Sequence, residues 1–454
     1  MSLKFDIEWL PAPGVRDPAE AATWAEMSLV LNGDKVSRVL DERLNSGRNS
    51  YFGSALPLAE WLVDAWPRLV HERRAPVPLR EALTTRTGAA EPSIGVTRSD
   101  FYEWVGYHSL RAARDGGVVP DIRIVRFDSS SFAVRVNSDV GALAPGVTVR
   151  FIAEADARVP AVELQAELHR VIESAVARLK GVSTERVQRL RERWCAAHSE
   201  AATVAGRLGV DDETLSPDER EAIDEVVGDP EREILLGIAE GSAAASVARR
   251  LSEARTVRND EPDAAPAGKA WVHLEETLHR LRLGRPWLTG WAAASQFRTA
   301  VGLSAMDAPA KVFPMFLEER CGWPQERQLF ALTAPPTGVE TVHVKHSDRT
   351  PVVMTATTTP QAHRFRLARS LYYFLFLNGP GDRAVSDSHL IQGRLSEANA
   401  FAAELLAPAE LIRAHAPPGS IWTREQRKLV AKELGVDQRV VAHQIENRDL
   451  GYAA

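Results

Sequence analysis

Residues 364–377 read RFRLARSLYYFLFL, residues 396–408 read SEANAFAAELLAP, and residues 423–445 form a third periodic stretch. Beyond Leu371 the first stretch is apolar at nearly every position, which predicts a helix that is buried on most sides. The second stretch predicts another helix, and the third begins with Thr423 and Gln426 at the spacing of a capping box. Two short strands are predicted before them, over 341–345 and 351–355. The sequence therefore predicts a mostly helical C-terminal third with a small sheet.

The rest of the chain predicts an α+β, multidomain protein. Asn32-Gly33 separates apolar runs over 24–31 and 35–40, which indicates a β-hairpin because this turn needs positive φ angles. A second strand pair is predicted over 121–127 and 132–136. The pattern predicts four segments: a strand-containing N-terminal domain over 1–155, a helical region over 156–251, a linker over 252–269, and a C-terminal domain over 270–454. The linker is polar and lacks periodicity.

Composition and hydropathy argue against a disordered or a membrane-spanning protein. The chain has 454 residues and 44% hydrophobic residues, which is ordinary for globular domains. The sequence holds no run of ~18 apolar residues for a membrane span, and its N-terminus has no apolar signal core. We therefore expect a cytoplasmic protein without a membrane partner. The net charge of −6 gives no general attraction to nucleic acid.

The three C-terminal stretches, in this order, resemble the ImmA/IrrE family of zinc metallopeptidases over residues 290–450. The matching residues are Arg364-Phe365, Leu367-Ala368 and Leu371 in the first stretch, Glu397–Leu406 with Pro408 in the second, and Ala431, Leu434–Val436, Val440-Val441, Gln444 and Asn447 in the third. The resemblance implies a zincin-like domain. Family members with an intact site cut repressor-type DNA-binding proteins in stress, mobile-element and phage-response systems.

The chain departs from the family at the residues that carry the chemistry. A zincin needs two histidines four residues apart on one helix and a glutamate beside the first. Under the resemblance, Arg369 takes the place of the first histidine, Ser370 that of the catalytic glutamate, and Tyr373 that of the second histidine. Tyr372 fills the glycine position, and Glu397 alone retains a ligand position. We therefore expect no catalytic residues, no bound metal and no cofactor.

The coincident substitutions suggest a replacement for the metal. If the family backbone is kept, Arg369 and Glu397 face each other, and an arginine–carboxylate pair can join two helices by charge-assisted hydrogen bonds. Tyr373 would offer its hydroxyl to the same carboxylate. The sequence thus predicts an Arg369–Glu397 pair in the former metal pocket.

The expected function is that of a catalytically inactive sensor, scaffold or regulator in a bacterial stress, mobile-element or phage-defence setting. Its expected partner is a protein or a peptide segment. The first alternative is an active zinc metalloendopeptidase that cleaves a repressor-type protein. It would need two of four nearby histidines to converge with Glu397, and these are His363, His389, His415 and His443.

The second alternative is a DNA-binding regulator. Residues 423–447 have the glycine turn and β-branched pair of a helix-turn-helix, which would bring Gln438 and Arg439 to the major groove. The same segment resembles the packed C-terminal helices of the peptidase family. The N-terminal half shows no phosphate-binding loop, dinucleotide fingerprint or nucleophile elbow, so its role stays open.

Overall fold

The computed structural model describes residues 2–12, 14–77, 79–85, 97–114, 118–128, 130–139, 148–211, 214–263, 266–281, 283, 285–346, 349–356, 359–377, 383–388, 392–417, 421–450 and 452–453. The chain divides into two compact units, Met1–Asp229 and Pro230–Ala454. Helices and small sheets occur in both, which confirms the α+β class. In the part of the chain that is described, no helix is both long enough and apolar enough to cross a membrane.

Unit 1 carries three small sheets in its described residues. Their strands are β1 (Leu3–Trp9), β2 (Trp24–Leu31), β3 (Asp34–Lys35), β4 (Val39–Asp41), β5 (Ser46–Arg48), β6 (Tyr51–Ser54), β7 (Asp121–Asp128), β8 (Ser131–Asn137), β9 (Val149–Phe151) and β10 (Ala155–Pro160). One sheet has the order β1-β2-β3, with β6 also paired to β2. The others have the orders β10-β8-β7 and β5-β4-β9.

Helices cover these sheets. They are α1 (Pro18–Ala22), α2 (Leu56–His71), α3 (Leu79–Thr84), α4 (Arg98–His108), α5 (Ala161–Arg178), α6 (Glu185–Ala196), α7 (Glu200–Arg207) and α8 (Pro217–Val227). The apolar faces of α2 and α5 share one core with the inward residues of β1, β2 and β8. Leu62, Leu69, Leu164 and Ile172 are completely shielded there, as expected of side chains that repeat every three or four residues.

Unit 2 holds a four-stranded sheet of order β11-β13-β12-β14. Its strands are β11 (Phe330–Ala331), β12 (Val339–Val344), β13 (Val352–Thr355) and β14 (Ala384–Ser388), and a short parallel pair is formed by β15 (Ile421–Trp422) and β16 (Tyr452–Ala453). Its helices are α9 (Arg232–Ala239), α10 (Val247–Asn259), α11 (Lys269–Thr277), α12 (Pro286–Ala300), α13 (Phe313–Cys321), α14 (Pro360–Phe376), α15 (Gln392–Leu406), α16 (Ala409–Ala414), α17 (Arg424–Leu434) and α18 (Gln438–Asn447).

The predicted hairpins form, with one difference. Asn32 and Gly33 have φ angles of 55° and 96°, which confirms the turn between β2 and β3. The second arm was predicted to run to Leu40, but β3 ends at Lys35. The chain then enters a different sheet, where β4 pairs with β5 and β9. Strands β7 and β8 pair as predicted.

The boundary between the units does not coincide with the predicted linker. Residues 252–259 continue helix α10, in which Leu251, Ala254 and Val257 are buried. The preceding helix, α9, lies against the edge strand β14, where Ser386 Oγ donates a hydrogen bond to the carbonyl of Gly237 over 3.0 Å. A Cβ atom at Gly237 would be 2.3 Å from the carbonyl oxygen of Ala384. This packing assigns α9 and α10 to unit 2.

Candidate functional site

Helix α14 carries Arg369, Ser370 and Tyr373, the positions that the motif resemblance aligns with a His-Glu-x-x-His site. Thr359 caps its first turn by accepting a hydrogen bond from Ala362 N over 3.3 Å, and Pro360 occupies a position that needs no donor. Every residue from Arg366 to Phe376 is buried, which confirms the prediction of a helix enclosed on most sides. Its neighbours include α15, α12 and strand β12. Arg369, Ser370 and Tyr373 therefore lie inside unit 2.

Arg369 and Tyr373 converge on one carboxylate, that of Asp387 in β14. The Nη2 atom of Arg369 is 2.6 Å from Oδ2 of Asp387, and the Tyr373 hydroxyl donates to Oδ1 over 3.1 Å. Residues four apart on a helix share a face, so both side chains reach the same point. The side chains of Arg369 and Tyr373 therefore meet at an anion, the carboxylate of Asp387. The two side chains that surround it are hydrogen-bond donors.

His343 of β12 completes this cluster from the sheet. Its Nε2 atom is 3.1 Å from Oδ2 of Asp387, and its Nδ1 atom is 2.8 Å from Oγ of Ser370. A carboxylate only accepts hydrogen bonds, so Nε2 carries the proton that faces Asp387. Ser370 Oγ also lies 2.8 Å from the carbonyl oxygen of Arg366, one turn earlier in α14.

The series Ser370, His343, Asp387 has the composition of a catalytic triad, but it cannot meet a substrate. Ser370 is 0% exposed and His343 is 1% exposed. The serine hydroxyl lies within hydrogen-bonding distance of its own helix, and the aspartate is shared with Arg369 and Tyr373. A nucleophile must reach a substrate carbonyl, so this arrangement is suited to holding helix and sheet together.

Electrostatics keep Asp387 ionised. Burial alone would raise the pKa of this carboxyl, but Arg369 and His343 outweigh burial and hold the pKa well below its usual range. The ion pair with Arg369 is buried, with side-chain exposures of 10% for the arginine and 5% for the aspartate. Water therefore screens this pair much less than it would a pair at the surface.

Glu397 of α15 binds a different cation. Arg280, in the connection between α11 and α12, donates from Nε and Nη2 to Oε2 of Glu397 over 3.1 and 2.7 Å. The hydroxyl of Tyr372 donates to the same oxygen. Burial, followed by the charge of Glu397, raises the pKa of Tyr372 well above its usual value. Glu397 is 0% exposed, so its charge is balanced within the protein.

Close packing brings α15 to this position. Gly290 of α12 faces the backbone of Glu397, and a Cβ atom at Gly290 would be 2.2 Å from the carbonyl oxygen of Glu397. Phe297 of α12 and Phe401 of α15 meet edge-on one or two turns away, with ring centroids 5.9 Å apart. The absence of a side chain at 290 therefore sets the separation of α12 and α15 beside the buried glutamate.

The predicted pair of Arg369 with Glu397 does not form among the described residues. Arg369 pairs with Asp387, has Nη1 3.5 Å from Asn399 Oδ1, and lies over the Phe365 ring at 5.8 Å from its centroid. The hydroxyl of Tyr373, expected to bond Glu397, donates to Asp387, and that of Tyr372 donates to Glu397. Adjacent residues of a helix point about 100° apart, so Tyr373 faces the sheet while Tyr372 faces α15.

Sequence reasoning missed Asp387, Arg280 and His343 because all three lie outside the motif helices. Asp387 and His343 each occupy a short, mostly buried strand, AVSDS and VETVHV. A charged or titratable residue in a buried strand requires a partner, and that was the available signal. Arg280 lies in the basic segment 280–285. No periodic pattern in the sequence indicates that Arg280 would contact Glu397 of α15.

The residues at the positions that the resemblance aligns with zinc ligands do not fit zinc. Zinc needs lone pairs from neutral imidazoles, thiolates or carboxylates, whereas positions 369 and 373 present hydrogen-bond donors. In the described part of the chain, no three His, Cys, Asp or Glu side chains are grouped as a metal site.

Two of the four nearby histidines, His415 and His443, lie beside glutamates. His415 Nδ1 is 2.8 Å from the carbonyl oxygen of Leu411, and its Nε2 is 3.3 Å from Glu433. His443 is 70% exposed beside Glu446. His363 lies in the first turn of α14, and His389 lies outside the described residues.

Gln438 and Arg439 lie in the first turn of α18. The side chain of Arg439 is 86% exposed and pairs with Asp437, with Nε 3.1 Å from Oδ1. Gln438 is half-buried. The inner face of α18 is fixed by Gln444, which donates to Glu404 over 2.9 Å and to the carbonyl of Ala407 over 3.0 Å.

Comparison of the chain with protein-family models, with curated proteins and with solved structures gives no match in any of the three. The likeness to the ImmA/IrrE family therefore depends on the three C-terminal motifs.

Proposed function

We propose that unit 2 is a catalytically inactive, zincin-like interaction module that acts as a sensor, scaffold or regulator through a protein partner. One observation carries the proposal: the helix positions that hold zinc in the family now hold Arg369 and Tyr373, and both bind Asp387. In the family, lone-pair donors surround a zinc cation; here, hydrogen-bond donors surround the carboxylate of Asp387. The bacterial stress, mobile-element or phage-defence setting comes from the motif resemblance alone.

The chemistry and the hydrogen-bond partners of Ser370 and Glu397 support the loss of catalysis. The family uses a glutamate at the position of Ser370 to accept a proton from metal-bound water. Serine has no basic group at neutral pH, and this one is enclosed between His343 and the carbonyl of Arg366. Glu397, which would be the third ligand, is bound by Arg280 and Tyr372.

A proteolysis assay tests the proposal against the alternative of an active zinc metalloendopeptidase. The full chain is incubated with an unfolded protein substrate such as reduced casein, with added zinc and separately with a chelator. We expect the same intact substrate in both samples and in a Ser370→Ala variant. Cleavage that the chelator abolishes would overturn the proposal and favour the peptidase.

A second candidate function, DNA binding, is favoured by the geometry of α17 and α18. A three-residue turn joins the two helices, Gly435 adopts a φ of 75°, and Arg439 projects into solvent at the start of the second helix. This is the order of elements in a helix-turn-helix. The turn also packs inward, because Arg364 Nη2 donates to the carbonyl of Gly435 over 2.7 Å.

The salt dependence of the affinity for duplex DNA tests this second candidate. Contacts to phosphate make the affinity for duplex DNA fall steeply as salt rises. If α18 contacts DNA, Arg439→Ala lowers both the affinity and its dependence on salt, while Arg189→Ala, an exposed arginine on α6, changes neither. Equal binding by the two variants removes this candidate.

A further inference from the structure

Among the strands that the structure describes, β1 of unit 1 pairs with β2 alone, so its other edge is open. β1 pairs with β2 without a bulge, from Leu3 opposite Leu31 to Trp9 opposite Ala25. At its ends, Asn32 N donates to Ser2 O over 2.9 Å and Leu10 N donates to Trp24 O over 3.0 Å. Backbone groups alternate in direction along a strand, so the even-numbered residues bond to β2. The N–H and C=O groups of Phe5, Ile7 and Trp9 therefore point away from the sheet.

Side chains of α5 occupy this edge at one residue only. Glu167 Oε1 accepts a hydrogen bond from Phe5 N over 2.6 Å, and Arg170 Nη2 donates to Phe5 O. The two side chains also pair with each other at 2.6 Å. They satisfy one donor and one acceptor, as a neighbouring strand would. Within the described residues, the outward backbone groups of Ile7 have no such partner.

A groove of about 710 Å³ follows this part of β1. On the solvent face of the sheet, Asp6, Glu8 and Glu26 line the end of the groove beside Ile7, whereas Lys4 and Lys35 line the opposite end. On the other face, Ile7 and Trp9 are only half-buried, whereas Phe5 is buried. A strand added beyond Ile7 would thus place alternate side chains next to carboxylates and next to partly exposed apolar groups.

We propose that the β1 edge at Ile7 and Trp9 binds an extended segment of a partner protein in which basic and apolar residues alternate. Strand addition satisfies the outward backbone groups, and the alternating side chains provide specificity. Basic side chains complement Asp6, Glu8 and Glu26, and apolar ones cover Ile7 and Trp9. A regular edge strand is a template for pairing, and proteins normally protect such edges; here α5 protects β1 at Phe5 and leaves Ile7 open.

Proline substitution at the edge gives a selective test with the full chain. Ile7→Pro removes one outward N–H but no bond to β2, so the sheet tolerates it, as edge strands tolerate proline elsewhere. Ile7→Val keeps the N–H and is the matched control. The probe is a fluorescein-labelled decapeptide of alternating lysine and valine, and binding is measured by fluorescence anisotropy. Circular dichroism verifies that both variants remain folded.

The proposal predicts binding by the unmodified chain and by Ile7→Val, and a loss of at least about tenfold in affinity for Ile7→Pro. A peptide of alternating glutamate and valine should bind more weakly, and Glu8→Lys should reduce this preference. Equal affinity of Ile7→Pro and Ile7→Val, or no binding by the unmodified chain, would overturn it. Self-association of the chain that Ile7→Pro abolishes would also overturn it, by assigning the edge to a second copy.

Discussion

The Nη2 atom of Arg369 lies 2.6 Å from Oδ2 of Asp387, inside unit 2 and between helix α14 and the edge strand β14. The aspartate also receives hydrogen bonds from Tyr373 and His343. A single carboxylate thus joins α14 to two strands of the sheet. Compared with a zinc site, the charge of the central group is reversed, because hydrogen-bond donors surround a carboxylate.

Removing this carboxylate charge should destabilise unit 2. Asp387→Asn leaves a buried guanidinium without its counter-ion, and breaking a buried pair costs about 3–5 kcal/mol. Urea unfolding of the variant and of the unmodified chain measures the loss. In a double-mutant cycle with Arg369→Met, the combined variant should lose less than the sum of the two single losses. Additive losses would mean that the pair contributes no coupling.

The Arg369–Asp387 pair should resist mild acid. The pKa of Asp387 is lowered in the folded protein, so its contribution to stability is present above the ordinary value of 3.8. It is lost only as the pH falls further, towards the lowered pKa. Mild acid near pH 5 should therefore leave the Arg369–Asp387 pair intact.

His71, at the end of α2, should make unit 1 sensitive to mild acid. Burial, followed by the charges of Arg126, Arg207 and Arg73, lowers its pKa from 6.5 to about 4. The unfolded chain therefore takes up this proton first as the pH falls. The stabilisation that neutral His71 contributes has its full value above pH 6.5 and is lost between pH 6.5 and 4. Over this range the free energy of unfolding falls by at most about 1.4 kcal/mol per pH unit.

Unfolding free energies of the unmodified chain and of His71→Gln, measured from pH 7 to 4, test this. The difference between the two curves isolates the histidine. We expect a shallower decline in the variant. Parallel curves would show that His71 does not carry a depressed pKa.

Tyr372, and not Tyr373, should be coupled energetically to Glu397. The hydroxyl of Tyr372 donates to Glu397, and that of Tyr373 donates to Asp387. A hydrogen bond to a charged group contributes about 1.5–3 kcal/mol. In double-mutant cycles with Glu397→Gln, Tyr372→Phe should show a clear interaction energy and Tyr373→Phe almost none. The reverse result would restore the pairing that the sequence suggested.

Gly290 should not tolerate a side chain. A Cβ atom there would lie 2.2 Å from the carbonyl oxygen of Glu397, so Gly290→Ala must push α12 away from α15. Overpacking of this kind costs about 1–3 kcal/mol. Gly106 in α4 is the matched control, because a Cβ atom there meets nothing within 4 Å. Thermal unfolding should show a lower midpoint for Gly290→Ala and no loss for Gly106→Ala; equal midpoints would contradict the close contact.

The sequence predicted elements where local patterns decide them. Asn32-Gly33 predicted its turn, because positive φ angles restrict the residues that fit, and the apolar run of α14 predicted its burial. The partners of Arg369 and Glu397 were not predictable in this way. Asp387 lies 18 residues after Arg369, and Arg280 lies 117 residues before Glu397, so only the folded chain brings them together. The motif residues lie on helices, whereas Asp387 lies on a strand and Arg280 in the connection between two helices.

Metal content tests the central claim most directly. The full chain is purified without chelator, its zinc is quantified by elemental analysis, and its thermal unfolding is compared with and without excess chelator. Because Arg369 and Tyr373 bind a carboxylate at the positions that the resemblance aligns with zinc ligands, we expect far less than one zinc per chain and the same unfolding midpoint in both samples. One tightly bound zinc per chain, together with a midpoint that falls when the chelator is added, would contradict the account.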